Sequence, residues 1–175
     1  VYINADATWG KIFVEIVDAQ TRRPHDGFWV PGETPEPFVG NETSRYIREY
    51  KSEAPFAIMV GFPGPHCPYD PSPQYCDLYS PDDMPEPHPI GEDQPPDFVA
   101  GNVSGNKASW NGVDYTEFTT AHKKKIRAYY AALVKQIDDK VGAIISALKD
   151  TGRYDNTIVV FCSDHGDYLG DHGLI

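Results

Sequence analysis

Polar and apolar positions alternate through residues 11–17, where Ile12, Val14 and Ile16 share one face, and this period of two predicts a strand with one buried side. Residues 55–62 form an unbroken apolar run opened by Pro55, which predicts a buried strand with its proline at the tolerated first position. Residues 157–161 form a second such run, rich in β-branched side chains, which also predicts a fully buried strand. A helical period is clearest between residues 116 and 149, where Ile126, Tyr129, Tyr130, Leu133, Val134, Ile137, Val141, Ile144, Ile145 and Leu148 recur at helix spacing. Asp114 and Glu117 resemble a capping box at its start, and Lys149 and Gly152 supply the stop. Such a helix is ~50 Å long at 1.5 Å per residue. It either breaks near its start or lies along a body larger than a small domain.

A shorter helix is expected over residues 43–52, with Tyr46, Ile47 and Tyr50 on one face. Prolines and glycines predict a loop over residues 22–40 and a long irregular segment over residues 71–115. Strand, Pro-rich loop, long helix and strand in that order indicate an α/β architecture, and the length suits one domain.

Composition narrows the function classes. The net charge of −11 argues against nonspecific nucleic-acid binding, and its carboxylates form a solvated acidic surface that would also suit cations. No uninterrupted apolar span is long enough for a membrane helix. No leader pattern opens at Val1, as also fits a chain that starts within a longer one, and the residues favour no compartment among cytoplasm, periplasm and the secreted space. Cys67, Cys76 and Cys162 have neither metal spacing nor a disulfide framework; Cys162 reads as a buried strand thiol, and Cys67 and Cys76 could pair under oxidising conditions. Asn41 and Asn102 head glycosylation-like triplets, for which chance is the default reading.

Four residues are candidates for chemistry. Asp164 and His165 are adjacent at the end of an apolar run, where ligands bind in open α/β sheets, and Gly166 lets the chain leave the strand so that both could meet one divalent cation. From spacing alone, a capped strand end with a hydrogen-bonded His165 is marginally the better reading. His66, between Pro65 and Cys67, could be held over a cleft as a hydrogen-bond or proton donor, although a surface histidine in a turn is the better reading by itself. His172, beside Asp171, could line the same cleft, with a backbone-bonded loop residue slightly favoured. Asp138 and Asp139 read as surface or packing groups on the long helix, and Lys123, Lys124 and Lys125 as a solvated charge run. His25, His88 and His122 receive no role.

The segment Ser163-Asp-His-Gly-Asp-Tyr-Leu-Gly-Asp-His-Gly-Leu174 resembles the metal-binding strand end of the sulfatases, in the alkaline phosphatase superfamily. Tyr130-Ala-Ala-Leu-Val-Lys-Gln-Ile-Asp-Asp-Lys-Val-Gly142 resembles the long helix before it, and the run from Pro55 through Pro65-His-Cys-Pro68 resembles the earlier strand and its Pro-His-x-Pro loop. The blocks stand in the family's order and cover roughly residues 41–175, while residues 1–40 add little. Together they reverse the preference at Asp164 and His165.

The resemblance implies part of an alkaline-phosphatase-like mixed sheet flanked by helices, with residues 1–175 a partial catalytic domain. It implies that Asp164 and His165 are two ligands of a divalent cation, with calcium favoured and manganese the alternative. His66 matches the family's contact to the sulfate ester or its leaving oxygen, and His172 falls in a substrate-binding motif. The Asp-His version of the metal pair is similar to phosphonate monoester hydrolases and several bacterial sulfatases. The implied substrate is a small-molecule or saccharide sulfate ester.

Three family features are missing from these residues. No Cys or Ser opens a Cys-x-Pro/Ala-x-Arg motif for the formylglycine nucleophile. The paired N-terminal aspartates are absent, and the lysine that follows the family's Gly-Leu would come after Ile175. The expectation is an internal fragment, incomplete at both ends and inactive alone, from a parent that hydrolyses sulfate esters. The rivals are a phosphonate monoester or phosphodiester hydrolase with the same chemistry, and a non-catalytic cation-binding module.

Overall fold

The computed structural model describes the backbone of residues 2–4 together with residues 35–67, 69–91, 96–106 and 115–175. The elements are strand β1 (Tyr2–Asn4), helix α1 (Pro35–Glu49), strand β2 (Met59–Gly61), helix α2 (Pro96–Asn106) and helix α3 (Thr120–Asp150), with three short 3₁₀ turns. The strand expected over residues 11–17 lies outside the described residues. The chain divides into two compact units, Val1–Cys76 with Ala132–Val160, and Asp77–Ala131 with Phe161–Ile175; α3 contributes its first part to the second unit and its remainder to the first.

In the first unit, β1 and β2 pair in parallel, with Tyr2 opposite Met59, Ile3 opposite Val60 and Asn4 opposite Gly61. This two-stranded sheet is the only sheet among the described residues, so they do not reproduce the expected mixed sheet. α1 starts within the segment read as a loop. Its prolines, Pro35 and Pro37, stand in the first turn, where a missing N–H breaks no helical bond. Val39, Thr43 and Ile47, four residues apart, form its buried face.

Contacts between α1 and α3 advance in step along both helices: Gln136 donates to Glu36, Lys140 donates to Asn41, and Arg48 pairs with Asp150. The helices therefore run parallel. Gly40 permits the approach, because a Cβ there would collide with the Lys140 stem. Ile47, Ala147 and Leu148 centre the core, with Phe56, Ile58, Ile144 and Ile145 packed around them. Residues 55–62 thus bury one side only, since Met59 is exposed.

The long helix begins at Thr120, not at 116. Glu117 lies in the turn before it, and the reciprocal cap is made by Thr119 and His122: the His122 N–H donates to Thr119 Oγ1 at 3.3 Å and the Thr119 N–H to His122 Nδ1 at 3.3 Å. At its end the Arg153 N–H reaches Leu148 O at 2.9 Å and the Gly152 N–H reaches Lys149 O at 3.0 Å, with Gly152 left-handed at φ 66°. This is the paired-bond stop that Gly152 predicted.

Residues 157–162 belong to no strand among the described residues, and Ile158, Val160 and Phe161 are exposed. The buried strand expected here is not found among the described residues. Cys162 is exposed too, and all three cysteines are free thiols. The segment 71–115 is not wholly irregular, since it contains α2 and a 3₁₀ turn at Pro81–Asp83 capped by Ser80. No helix among the described residues is long and apolar enough to cross a membrane.

Candidate active site

Asp164 and His165 stand together on the exposed segment that follows the apolar run. The Asp164 carboxylate accepts from the His165 N–H at 2.8 Å, and its second oxygen lies 3.6 Å from His165 Nε2. His165 Nδ1 donates to Gly166 O at 3.1 Å, because a carbonyl can only accept. In the neutral ring Nε2 then keeps its lone pair, so an oxygen and an imidazole nitrogen converge on one side. Ser163 Oγ donates to His165 O at 2.7 Å and tightens the turn. The side chains are 87% and 67% exposed for Asp164 and His165. Their donor chemistry fits a divalent cation as two of its ligands; among the described residues no group of three or more His, Cys, Asp or Glu side chains is gathered for one.

His66 belongs to the first unit and is exposed on the loop after β2, which contains the cis Gly64–Pro65 peptide. Its Nδ1 donates to Cys67 O at 2.7 Å, which leaves Nε2 for a ligand. The loop rests on a buried polar chain. Glu36 is 4% exposed beside Gly64 and accepts from Gln136 Nε2 at 3.2 Å, and Gln136 Oε1 accepts from the Ser72 N–H at 3.0 Å. α1 and α3 thereby carry the loop on satisfied polar groups.

His172 lies in the second unit within the 3₁₀ turn Asp171–Gly173, with φ 54° and ψ 23°. Its N–H donates to His88 O at 2.8 Å. Its ring stacks on that of His88 with centroids 6.3 Å apart and planes inclined by 18°, and Tyr168 stands perpendicular to it. Nδ1 is buried without a hydrogen-bond partner among the described residues.

Sequence reading missed His88 and Arg127. The His88 N–H donates to Asp171 Oδ1 at 2.6 Å, and Arg127 pairs with that carboxylate while donating to Leu169 O at 3.0 Å and Pro85 O at 3.3 Å. These partners are 42 to 83 residues apart, so no local pattern could announce them. Burial alone would raise the Asp171 pKa; the His88 N–H and the Arg127 guanidinium outweigh it and hold the carboxyl below its ordinary value. The lysine run is less solvated than expected: the Lys123 stem packs under Gly170, and Lys124 pairs with Glu86 at 2.8 Å. Asp139, by contrast, is the surface group expected, bonded to Lys135 and Tyr75.

A groove of about 380 Å³ lined by Asn41, Ser44, Arg45, Arg48, Glu49 and Ala143 lies elsewhere in the first unit. It contains none of the candidate residues, and Arg45 and Arg48 are paired with Glu42, Glu49 and Asp150.

The sequence matches the Sulfatase family over residues 13–174. It is 34% identical over 139 residues to an arylsulfatase of Clostridium perfringens, covering 79% of this chain and 27% of that protein. It is 28% identical over 180 residues to the multifunctional alkaline phosphatase superfamily protein PehA of Trinickia caryophylli, covering 86% and 34%. It is 32% identical over 159 residues to iduronate 2-sulfatase of Mus musculus, covering 81% and 27%. The chain therefore spans about a third or less of the length of these relatives. Its fold is similar to that of the phosphonate monoester hydrolase SpPMH from Silicibacter pomeroyi, with a TM-score of 0.62, 22% identity and coverage of 97% of this chain and 35% of that one. That likeness makes the fold part of an alkaline-phosphatase-like one.

Proposed function

The chain belongs to the sulfatase family, and on that premise we propose that the intact protein is a metal-dependent hydrolase of small-molecule or saccharide sulfate esters. Its nucleophile, a formylglycine, lies outside these residues, since none of Cys67, Cys76 and Cys162 stands in the required motif. The observation that carries this reading is the convergence of Asp164 Oδ2 and His165 Nε2, 3.6 Å apart, on an exposed segment that follows an apolar run.

Asp164 and His165 would hold the divalent cation, calcium by preference or manganese, which when bound sets positive charge against the ester oxygens. The Nδ1 bond to Gly166 O turns the His165 lone pair onto Nε2 and fixes which atom ligates. His66, protonated, donates from Nε2 to the oxygen of the departing alcohol, while its Nδ1 bond to Cys67 O fixes the ring. His172 contacts the substrate.

In the full-length protein, Asp164→Ala should lower turnover about a thousandfold, the equivalent of several kcal/mol of lost charge stabilisation. Metal content and sulfate-ester hydrolysis measured on the same preparation check it; near-normal turnover with full metal content counts against the assignment.

A second reading, hydrolysis of phosphonate monoesters or phosphodiesters by the same residues, draws support from the fold likeness to a phosphonate monoester hydrolase. Parallel kcat/KM values on an aryl sulfate, a phosphodiester and a phosphonate monoester separate the two. The sulfate ester is expected to be fastest, and a faster phosphonate would replace the first reading with the second.

A further inference from the structure

We propose that Arg127 and Asp171 are positioning residues, a clasp that holds His172 in its left-handed backbone state and ties residues 85–90 to the turn beside it; in function this rests on the substrate contact assigned to His172. The starting point is φ 54° at a residue with a Cβ. That state is disfavoured for a residue with a Cβ and persists only where the surroundings over-determine it.

Here the surroundings are identifiable. The Arg127 side chain is 11% exposed and spends its donors on three acceptors, Leu169 O, Pro85 O and Asp171 Oδ1. Asp171 Oδ1 also accepts from the His88 N–H, while the His172 N–H donates back to His88 O. The backbone of residue 88 is therefore gripped on both sides by residues 171 and 172. Within the turn, the Gly170 N–H donates to Leu174 O at 2.7 Å, and Leu174 is buried. Gly173, at φ 75°, lies so close to Ile90 that an added Cβ would be 2.8 Å from Ile90 Cδ1. Arg127 is the only member that reaches both the turn and the Pro85 carbonyl, and its charge is balanced by the Asp171 carboxylate.

Both grips use main-chain atoms of His88, so its imidazole takes no part in them. The clasp and the two stacked rings are thus separable by mutation. Removing the Asp171 carboxylate breaks the clasp, whereas His88→Ala removes a ring and leaves the clasp in place.

The test is amide hydrogen exchange in the full-length protein, read at residues 88 and 172. Asp171→Ala and Arg127→Met should each speed both amides at least tenfold while Ala147 and Leu148 stay unchanged. His88→Ala should leave the residue 172 amide slow. Asp171→Asn, which keeps the Oδ1 acceptor, should retain protection at residue 88 and guards against a variant that fails to fold. Unchanged exchange in Arg127→Met and Asp171→Ala overturns the clasp.

Kinetics test its purpose. Asp171→Ala should lower kcat/KM in the wild-type background and have no further effect in a His172→Ala background. An equal loss in both backgrounds overturns the positioning role. If His172→Ala alone leaves kcat/KM unchanged, the substrate contact assigned to His172 falls and the functional half of the proposal with it, while the exchange rates still decide the structural half.

Discussion

Asp171 keeps its charge despite partial burial, because the His88 N–H and Arg127 compensate for lost water. Its folded pKa therefore lies below the unfolded value of about 3.9. The stabilisation it contributes is present in full above the unfolded value and is lost as the pH falls through the folded one. A carboxyl ¹³C titration should place the Asp171 midpoint below ~3.9. A midpoint at or above the ordinary value would contradict the pairing. At this scale the sequence exposed some chemistry and concealed the rest. Asp164 and His165 are neighbours in the chain, so their proximity follows from one peptide bond and a turn. His88 and Arg127 are remote from Asp171 in sequence and were invisible before folding.

Among the elements, position mattered more than composition. Prolines at 35 and 37 counted as loop formers in the sequence, yet in the first turn of α1 they cost no hydrogen bond. The α3 stop was legible because Gly152 needs only its own left-handed backbone; the start was misplaced because the cap uses His122 where the rule looks for Glu or Gln. The loop bearing His66 depends on packing that no motif records. A Cβ on Gly64 would lie 2.5 Å from Glu36 Oε1 and 3.1 Å from its Cδ, and Glu36 is held by Gln136. Gly64→Ala should therefore destabilise the protein by about 1–3 kcal/mol, as overpacking does. A lower urea midpoint with unchanged slope would show this, and an unchanged midpoint would mean that Glu36 swings aside freely.

For the whole molecule, the apolar run 157–161 is the instructive case. Ile158 is 92% exposed and Val160 79%. A contiguous exposed apolar patch favours association with another surface. The 175-residue polypeptide should therefore self-associate and bind a hydrophobic dye, and Ile158→Lys should weaken both. Sedimentation as a concentration-independent monomer without dye binding would refute this. The expectation of a buried strand rested on side-chain type, which sets the tendency toward extended structure but not the presence of a neighbour.

By itself the chain's order of residues determined the features that depend on near neighbours: the long helix and its glycine stop, the adjacent acid and imidazole, and the motifs that mark the family. Tertiary structure alone decided which side chains became buried, the parallel seating of α1 on α3, and the junction of Arg127, Asp171 and His88 around His172. The physical reason is range. Backbone dihedrals and caps are set within about four residues, a helical turn, whereas burial and long-range hydrogen bonds exist only once remote segments meet.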